Sequence, residues 1–293
     1  MHKNYLELSD FNHNIYKNYK DLELMTNEDL ENHYLSYGIA EGRVCNTIKN
    51  RKDFVNQVKN LGKILEIGPL DNPQFDHTSP DYYSLDVFDK AQLIKNYIHD
   101  PNVIKDNIVE PSYVIVNNDY SPIKQQFERI FSSHNIEHMP CIVTFLNNLD
   151  KLLGKEGEIY LIVPDKRYCF DHFKRESDIY DVVQSFYDKN LRPKFTAVLK
   201  HFSQSTHNDC VAHWNNDHGT INSDEILLQN FQSLLTKYNT GVYIDAHVSY
   251  FTPESFIKLV ELLNDLKLIN LKIHNLYFTL RGSNEFYVIL KKG

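Results

Sequence analysis

Five short apolar runs alternate with polar or helix-period segments between residues 63 and 164, and no other feature constrains the fold as much. The runs lie at 63–68, 82–86, 113–116, 127–133 and 158–164 and read as strands. Between the fourth and fifth, Val143, Leu146, Leu149 and Leu153 recur at helical spacing over 142–153. Strands that alternate with helices imply a parallel sheet covered by helices on both faces. A later helix starts at Thr252-Pro253-Glu254, where Thr caps and Pro occupies the first turn, and continues through Phe256, Leu259, Val260, Leu262 and Leu263. Two last strands, 268–280 and 285–290, are joined by the short link 281–284, which predicts an antiparallel terminal hairpin.

The 293 residues are 42% hydrophobic and 13% aromatic, enough for one large domain with an appendage and too apolar for a disordered chain. No apolar run reaches the ~18 residues of a membrane span. The opening Met1-His2-Lys3-Asn4 reads as no secretory signal. With 31 basic against 39 acidic side chains, the net charge of -8 argues against a nucleic-acid binder. Cys45, Cys141, Cys169 and Cys210 are far apart and form no C-x-x-C, so they read as small buried side chains in a reducing, cytoplasmic setting. Residues 1–50 form a small helical module. Thr26 caps a helix with Asp29 three positions on, Leu30, Tyr34, Leu35 and Tyr37 follow, and Gly38 is expected to stop it. The module is expected to be too small for a core of its own and to dock on the rest of the chain or on a partner.

Three features fall at the carboxyl ends of successive strands, where open α/β sheets bind ligands. Gly68 lets backbone pass close to a ligand, and Glu66 sets a carboxylate beside that turn. Asp86 ends the second strand, ~18 residues on, where an acid can accept both hydroxyls of a ribose. Asn117, Asn118 and Asp119 follow the third, positioned to meet a base edge. The glycines number only 10 and are scattered, which argues against a pyrophosphate cradle.

Leu65-Glu66-Ile67-Gly68-Pro69 resembles the first motif of class I S-adenosylmethionine-dependent methyltransferases. Residues 127–138, ending in Ser133-His134-Asn135-Ile136-Glu137-His138, resemble that family's fourth-strand signature, and Gly154-Lys155-Glu156-Gly157 the turn before its fifth. The resemblance implies a Rossmann-like α/β fold: seven strands with an antiparallel terminal hairpin, over 51–293, with a substrate-side insertion at about 166–245. It implies that Gly68, Pro69 and Leu70 line the methionine moiety of S-adenosylmethionine, with Glu66 near its amino group. Asp86 would hold the ribose, Asn118 and Asp119 the adenine, and Ser133 with His134 the cofactor's other side. Leu70 and Asn72 stand where the family usually has later glycines. Glu137 and His138 are expected to cap and orient the following helix.

The insertion contains His207-Asn208-Asp209-Cys210-Val211-Ala212-His213-Trp214-Asn215-Asn216-Asp217-His218-Gly219, with the single Trp. Methyl transfer to a hydroxyl needs a base, and a histidine suits it, so His207, His213 and His218, with Asp217, are the catalytic candidates. Trp214 offers a face for a sugar ring. The same residues could instead be a structural hydrogen-bonded knot, or could hold a divalent ion through His207, Asp209, His213, Asp217 or His218, although their spacing matches no standard metal motif. Phe170-Asp171-His172-Phe173 resembles methyltransferases found beside glycosyltransferases in polysaccharide pathways. Residues 32–43 are similar to a helical module of glycan-building enzymes. These resemblances imply a sugar or glycan acceptor and glycan-assembly partners for residues 1–50. The open alternatives are a non-sugar small molecule or protein acceptor, or a catalytically silent scaffold.

Overall fold

The computed structural model describes residues 3–58, 62–116 and 118–293; Met1, His2 and Asn117 lie outside the described residues. The apolar runs form β1 (Ile64–Ile67), β2 (Tyr82–Asp86), β3 (Tyr113–Val114), β4 (Phe127–Ser133) and β5 (Leu153–Pro164), and the terminal pair forms β6 (Leu271–Tyr277) and β7 (Glu285–Lys292). They make one seven-stranded sheet in the order β3-β2-β1-β4-β5-β7-β6. β1 to β5 pair in parallel, while β7 runs antiparallel to both β5 and β6.

Period two explains why the sheet is buried on both sides. Ile130, Ile159, Leu161, Val163, Phe286, Val288 and Leu290 face one core, and Phe131, Tyr160, Ile162, Tyr287 and Ile289 face the other. The first face packs under α6 (Ile142–Leu152) and α11 (Pro253–Asp265), the second under α4 (Arg51–Val58). Phe54 of α4 lies nearly parallel to Tyr287, with ring centres 4.8 Å apart. Thr252 caps this helix as expected, in a capping box with Ser255 and with Pro253 in the first turn.

Several strand boundaries move, those of β3 and β5 for local reasons. β3 is only two residues long, because the segment after Val114 leaves the sheet edge once Ile115 has donated to the Asp86 carbonyl. β5 begins at Leu153. Phe127 pairs with Leu153 and Arg129 with Glu158, so the Gly154–Gly157 turn is looped out within the strand.

The N-terminal module holds α1 (Lys3–Leu8), α2 (His13–Tyr16) and α3 (Asn27–His33), and Thr26 and Asp29 form the predicted capping box. Contrary to the expectation, it has a core: Tyr16, Leu22, Leu30, Tyr34 and Cys45 are buried together, with Phe11 and Tyr19 against them. A few large rings supply the area that the short chain lacks, at ~150–250 Å² each. The helix continues beyond His33 as a π-turn over Tyr34–Gly38 and ends at Gly38, as expected. Its glycine is required by close approach, since a Cβ there would stand 2.1 Å from the Tyr16 hydroxyl. The module also docks: Tyr277 donates to Asp10 at 2.7 Å, and Arg281 donates its amide to the Gly42 carbonyl at 3.0 Å.

The remaining helix of the sheet region is α5 (Lys90–Asn96). The insertion carries α7 (Ile179–Tyr187), α8 (Phe195–Ser203), α9 (Cys210–Trp214) and α10 (Ser223–Asn239). Among the described residues no helix is long and apolar enough to cross a membrane.

Candidate functional site

Four residues at the carboxyl ends of β1, β3 and β4 adopt left-handed backbone: Gly68 (φ 63°), Leu70 (46°), Asn118 (60°) and His134 (48°). For the three that are not glycine this costs on the order of 1–3 kcal/mol each, a strain that persists only where the surrounding structure over-determines it. Gly68 is exposed, and a Cβ built on it would meet nothing within 4 Å, so the backbone edge beside it is open. Pro69 is buried, and Leu70 packs with Leu93, Val103 and Ile108.

Glu66, buried in β1, spends both oxygens on the loop's foundation. Oε1 accepts from the Gln74 amide at 2.9 Å and Oε2 from the Tyr82 hydroxyl at 3.0 Å. Burial pushes its carboxyl up to about 7 against those bonds. Asp86 is half-buried at the end of β2. Its Oδ1 accepts from the Val87 and Phe88 amides at 2.7 and 3.2 Å, and its Oδ2 takes no hydrogen bond among the described residues. Burial raises this carboxyl above its ordinary range. Asp119 is exposed and accepts from the Ser121 amide, which holds its carboxyl low.

Across the sheet, one ion-pair network ties Ser133 and His134 to residues that the strand motifs do not announce. Arg51, at the start of α4, donates to Glu285 of β7 and to the Ser133 hydroxyl, both at 2.6 Å. His134 Nε2 lies 2.8 Å from the same Glu285 oxygen. Burial would depress His134, but Glu285 and Glu137 outweigh it and raise its pKa.

The insertion histidines form a directed chain. His213 Nε2 faces the His207 carbonyl at 3.1 Å and must donate, so its Nδ1 carries the lone pair. His218 Nδ1, 3.0 Å from His213 Nδ1, is then the donor, which leaves the lone pair of His218 on Nε2. His207 accepts the Asp209 amide on Nδ1, so its proton sits on the buried Nε2. Asp217 is exposed and accepts from the Gly219 amide. Trp214 is committed to a brace: it stacks on Tyr168 with ring centres 3.8 Å apart and donates Nε1 to the Ser283 carbonyl at 2.7 Å. The Tyr168-covered face offers no sugar platform.

A second group escaped the sequence reading. Glu137 follows β4 and is fully buried. His138 and His247 converge on it, with Asp245 and Asp171 behind them. Its backbone carbonyl accepts the amides of Val248 and Ser249, which clamps the 245–250 segment onto the end of β4. This ties Glu137 into structure more deeply than the helix-orienting part expected of it. Phe88, two residues beyond Asp86, meets Tyr243 edge-on at 5.7 Å, and Tyr243 donates to Asp245, so this group adjoins the β2 end.

The strand order, with β7 alone reversed, makes a Rossmann-like mixed sheet with antiparallel terminal strands, as the resemblance implied. No protein-family model matches the chain, and no curated protein matches it either. Solved structures similar in fold include an S-adenosylmethionine-dependent methyltransferase from Clostridium acetobutylicum (10% identity, 91% of this chain and 98% of that one, TM-score 0.43). Others are the CcbJ methyltransferase from Streptomyces caelestis (9%, 83% and 88%, 0.41) and a putative zinc-dependent alcohol dehydrogenase from Rhodobacter sphaeroides (12%, 87% and 92%, 0.43).

Proposed function

We propose that the chain is an S-adenosylmethionine-dependent methyltransferase that acts on a hydroxyl of a sugar or glycan precursor. The observation that carries this reading is the open, left-handed Gly68 backbone beside Asp86, whose Oδ2 takes no partner among the described residues. These groups fit the proposed cofactor. A single open glycine admits the methionine end, which has no phosphate to cradle, and Asp86 accepts the ribose hydroxyls. Ser133 and His134, held by Arg51 and Glu285, close the other side. Bound there, S-adenosylmethionine supplies an electrophilic sulfonium methyl. The chain positions the acceptor oxygen, and His218 accepts its proton on Nε2, the tautomer enforced by His213. The sugar acceptor is supported by the resemblance around residues 170–173.

The test is S-adenosylhomocysteine release from S-adenosylmethionine with nucleotide sugars and oligosaccharides, set against amines and carboxylates. The proposal expects methylated sugar, and His218→Ala slowing turnover by roughly 10²-fold or more with cofactor affinity kept. Methylation of amines alone, or near-normal turnover in His218→Ala, would overturn the acceptor or the base respectively.

A further inference from the structure

We infer that Glu137, His138 and His247 form a binding site for one divalent first-row transition ion. Glu137 has 0% exposure, and neither of its oxygens has a hydrogen-bond partner among the described residues. A buried carboxylate without hydrogen bonds costs several kcal/mol, only partly answered by the charge of His134 that it helps to raise. The neighbours supply no donor at bonding distance. His247 Nε2 stands 3.8 Å from Oε1 and His138 Nε2 stands 3.9 Å from it, with His134 Nδ1 at 3.7 Å.

The far nitrogens explain what those near ones carry. His247 Nδ1 lies 2.6 Å from Asp171 Oδ2, and His138 Nδ1 lies 2.8 Å from Asp245 Oδ1, the latter off the line of a well-aligned bond. A carboxylate behind Nδ1 fixes the proton there and turns the lone pair of Nε2 forward. Three electron-pair donors, two imidazoles and a carboxylate, therefore converge, with every ligand atom within 4.8 Å of the others. A protonated imidazole would close on the carboxylate to about 2.8 Å. Donors bound to one ion at about 2.1 Å sit roughly 3.0–3.4 Å apart, so the observed spacing needs only a small contraction. Imidazole nitrogens favour zinc, copper, iron or nickel over manganese, magnesium or calcium.

The other close group, His172, His213 and His218, lacks this logic, because His213 and His218 satisfy each other. Asp171, behind His247, is followed in the chain by His172, whose ring stacks on His218 at 3.7 Å, so a chain of contacts links the site to the base proposed above. With three protein ligands, open positions remain for water or an acceptor oxygen, whose proton the ion would loosen. That role rests on the methyltransferase reading; the binding of the ion does not.

The experiment strips the full-length protein with a chelator and titrates it separately with zinc, manganese and magnesium, by calorimetry and by elemental analysis after dialysis. The inference expects one zinc per chain, with weaker manganese and much weaker magnesium. Glu137→Gln should weaken the ion at least 100-fold while S-adenosylhomocysteine affinity stays within about threefold. Asp171→Asn, which leaves all three ligands in place, should weaken it about 10- to 100-fold, and it carries the same test if Glu137→Gln does not fold. His218→Ala should leave ion affinity unchanged. No stoichiometric ion in the wild type, unchanged affinity in Glu137→Gln or Asp171→Asn, or loss in His218→Ala would overturn the site. Ion binding without S-adenosylhomocysteine binding would uphold the site and overturn only the methyltransferase reading.

Discussion

At the scale of single residues, Glu66 links the cofactor loop to a pH dependence. Burial raises its folded carboxyl from the ordinary 4.5 to about 7, so between those values the folded chain holds a proton that the unfolded chain has released. Stability contributed by this group is therefore present below about 4.5 and lost as pH rises through about 7, up to about 3 kcal/mol. Glu66→Gln removes that loss while keeping the bond to Gln74. Urea denaturation from pH 4.5 to 7.5 should show the variant gaining on the wild type with rising pH; parallel curves would contradict the assignment. Glu66 and Asp86 were legible in the sequence because each ends or borders a short apolar run. Glu137 was visible as half of a Glu-His pair. Its neighbours were not, since His247 reaches it, with Asp171 behind, from segments with no strand or helix period, and nothing local marks a side chain whose surroundings lie 110 and 34 residues away.

At the scale of elements, α4 acts as a latch across the mouth of the sheet. Arg51 holds the ends of β4 and β7 together through Ser133 and Glu285, and it half-faces solvent, so its energetic part is modest. Arg51→Ala should change stability by about 1 kcal/mol or less but weaken S-adenosylhomocysteine several-fold, by calorimetry, because His134 loses a shared anchor. The sequence could not show this latch: an arginine opening a helix is ordinary until β7 is known to lie beside β4's neighbour. Helix periods did reveal α6 and α11, and short apolar runs revealed the strands. The 154–157 turn was legible, but not the pairing before it, because Leu153 completes a helical pattern while its backbone already pairs with Phe127. In the N-terminal module, Gly38→Ala keeps helical propensity but drives a Cβ into Tyr16. It should destabilise the protein by about 1–3 kcal/mol in denaturant titration, whereas a glycine serving only as a helix stop would cost far less.

At the scale of the whole molecule, the sheet, the module and the insertion meet around one brace. Trp214 stacks on Tyr168, donates to Ser283, and lies against Gly42 of the module, where a Cβ would come within 2.8 Å of its ring. The insertion is thereby fixed over the end of the sheet that also carries Gly68, Asp86 and Glu137. Composition had suggested that 10 glycines were too few for a nucleotide site. The fold shows where they are needed: Gly68 at an open left-handed turn, Gly42 at the docking contact. The central claim is that this end of the sheet binds the sulfonium nucleoside through Gly68 and Asp86. It is tested most directly by calorimetry of S-adenosylhomocysteine with the intact protein and with Asp86→Ala. Saturable one-to-one binding that Asp86→Ala weakens at least tenfold is the predicted result. No binding by the intact protein, or equal binding by the variant, would contradict it.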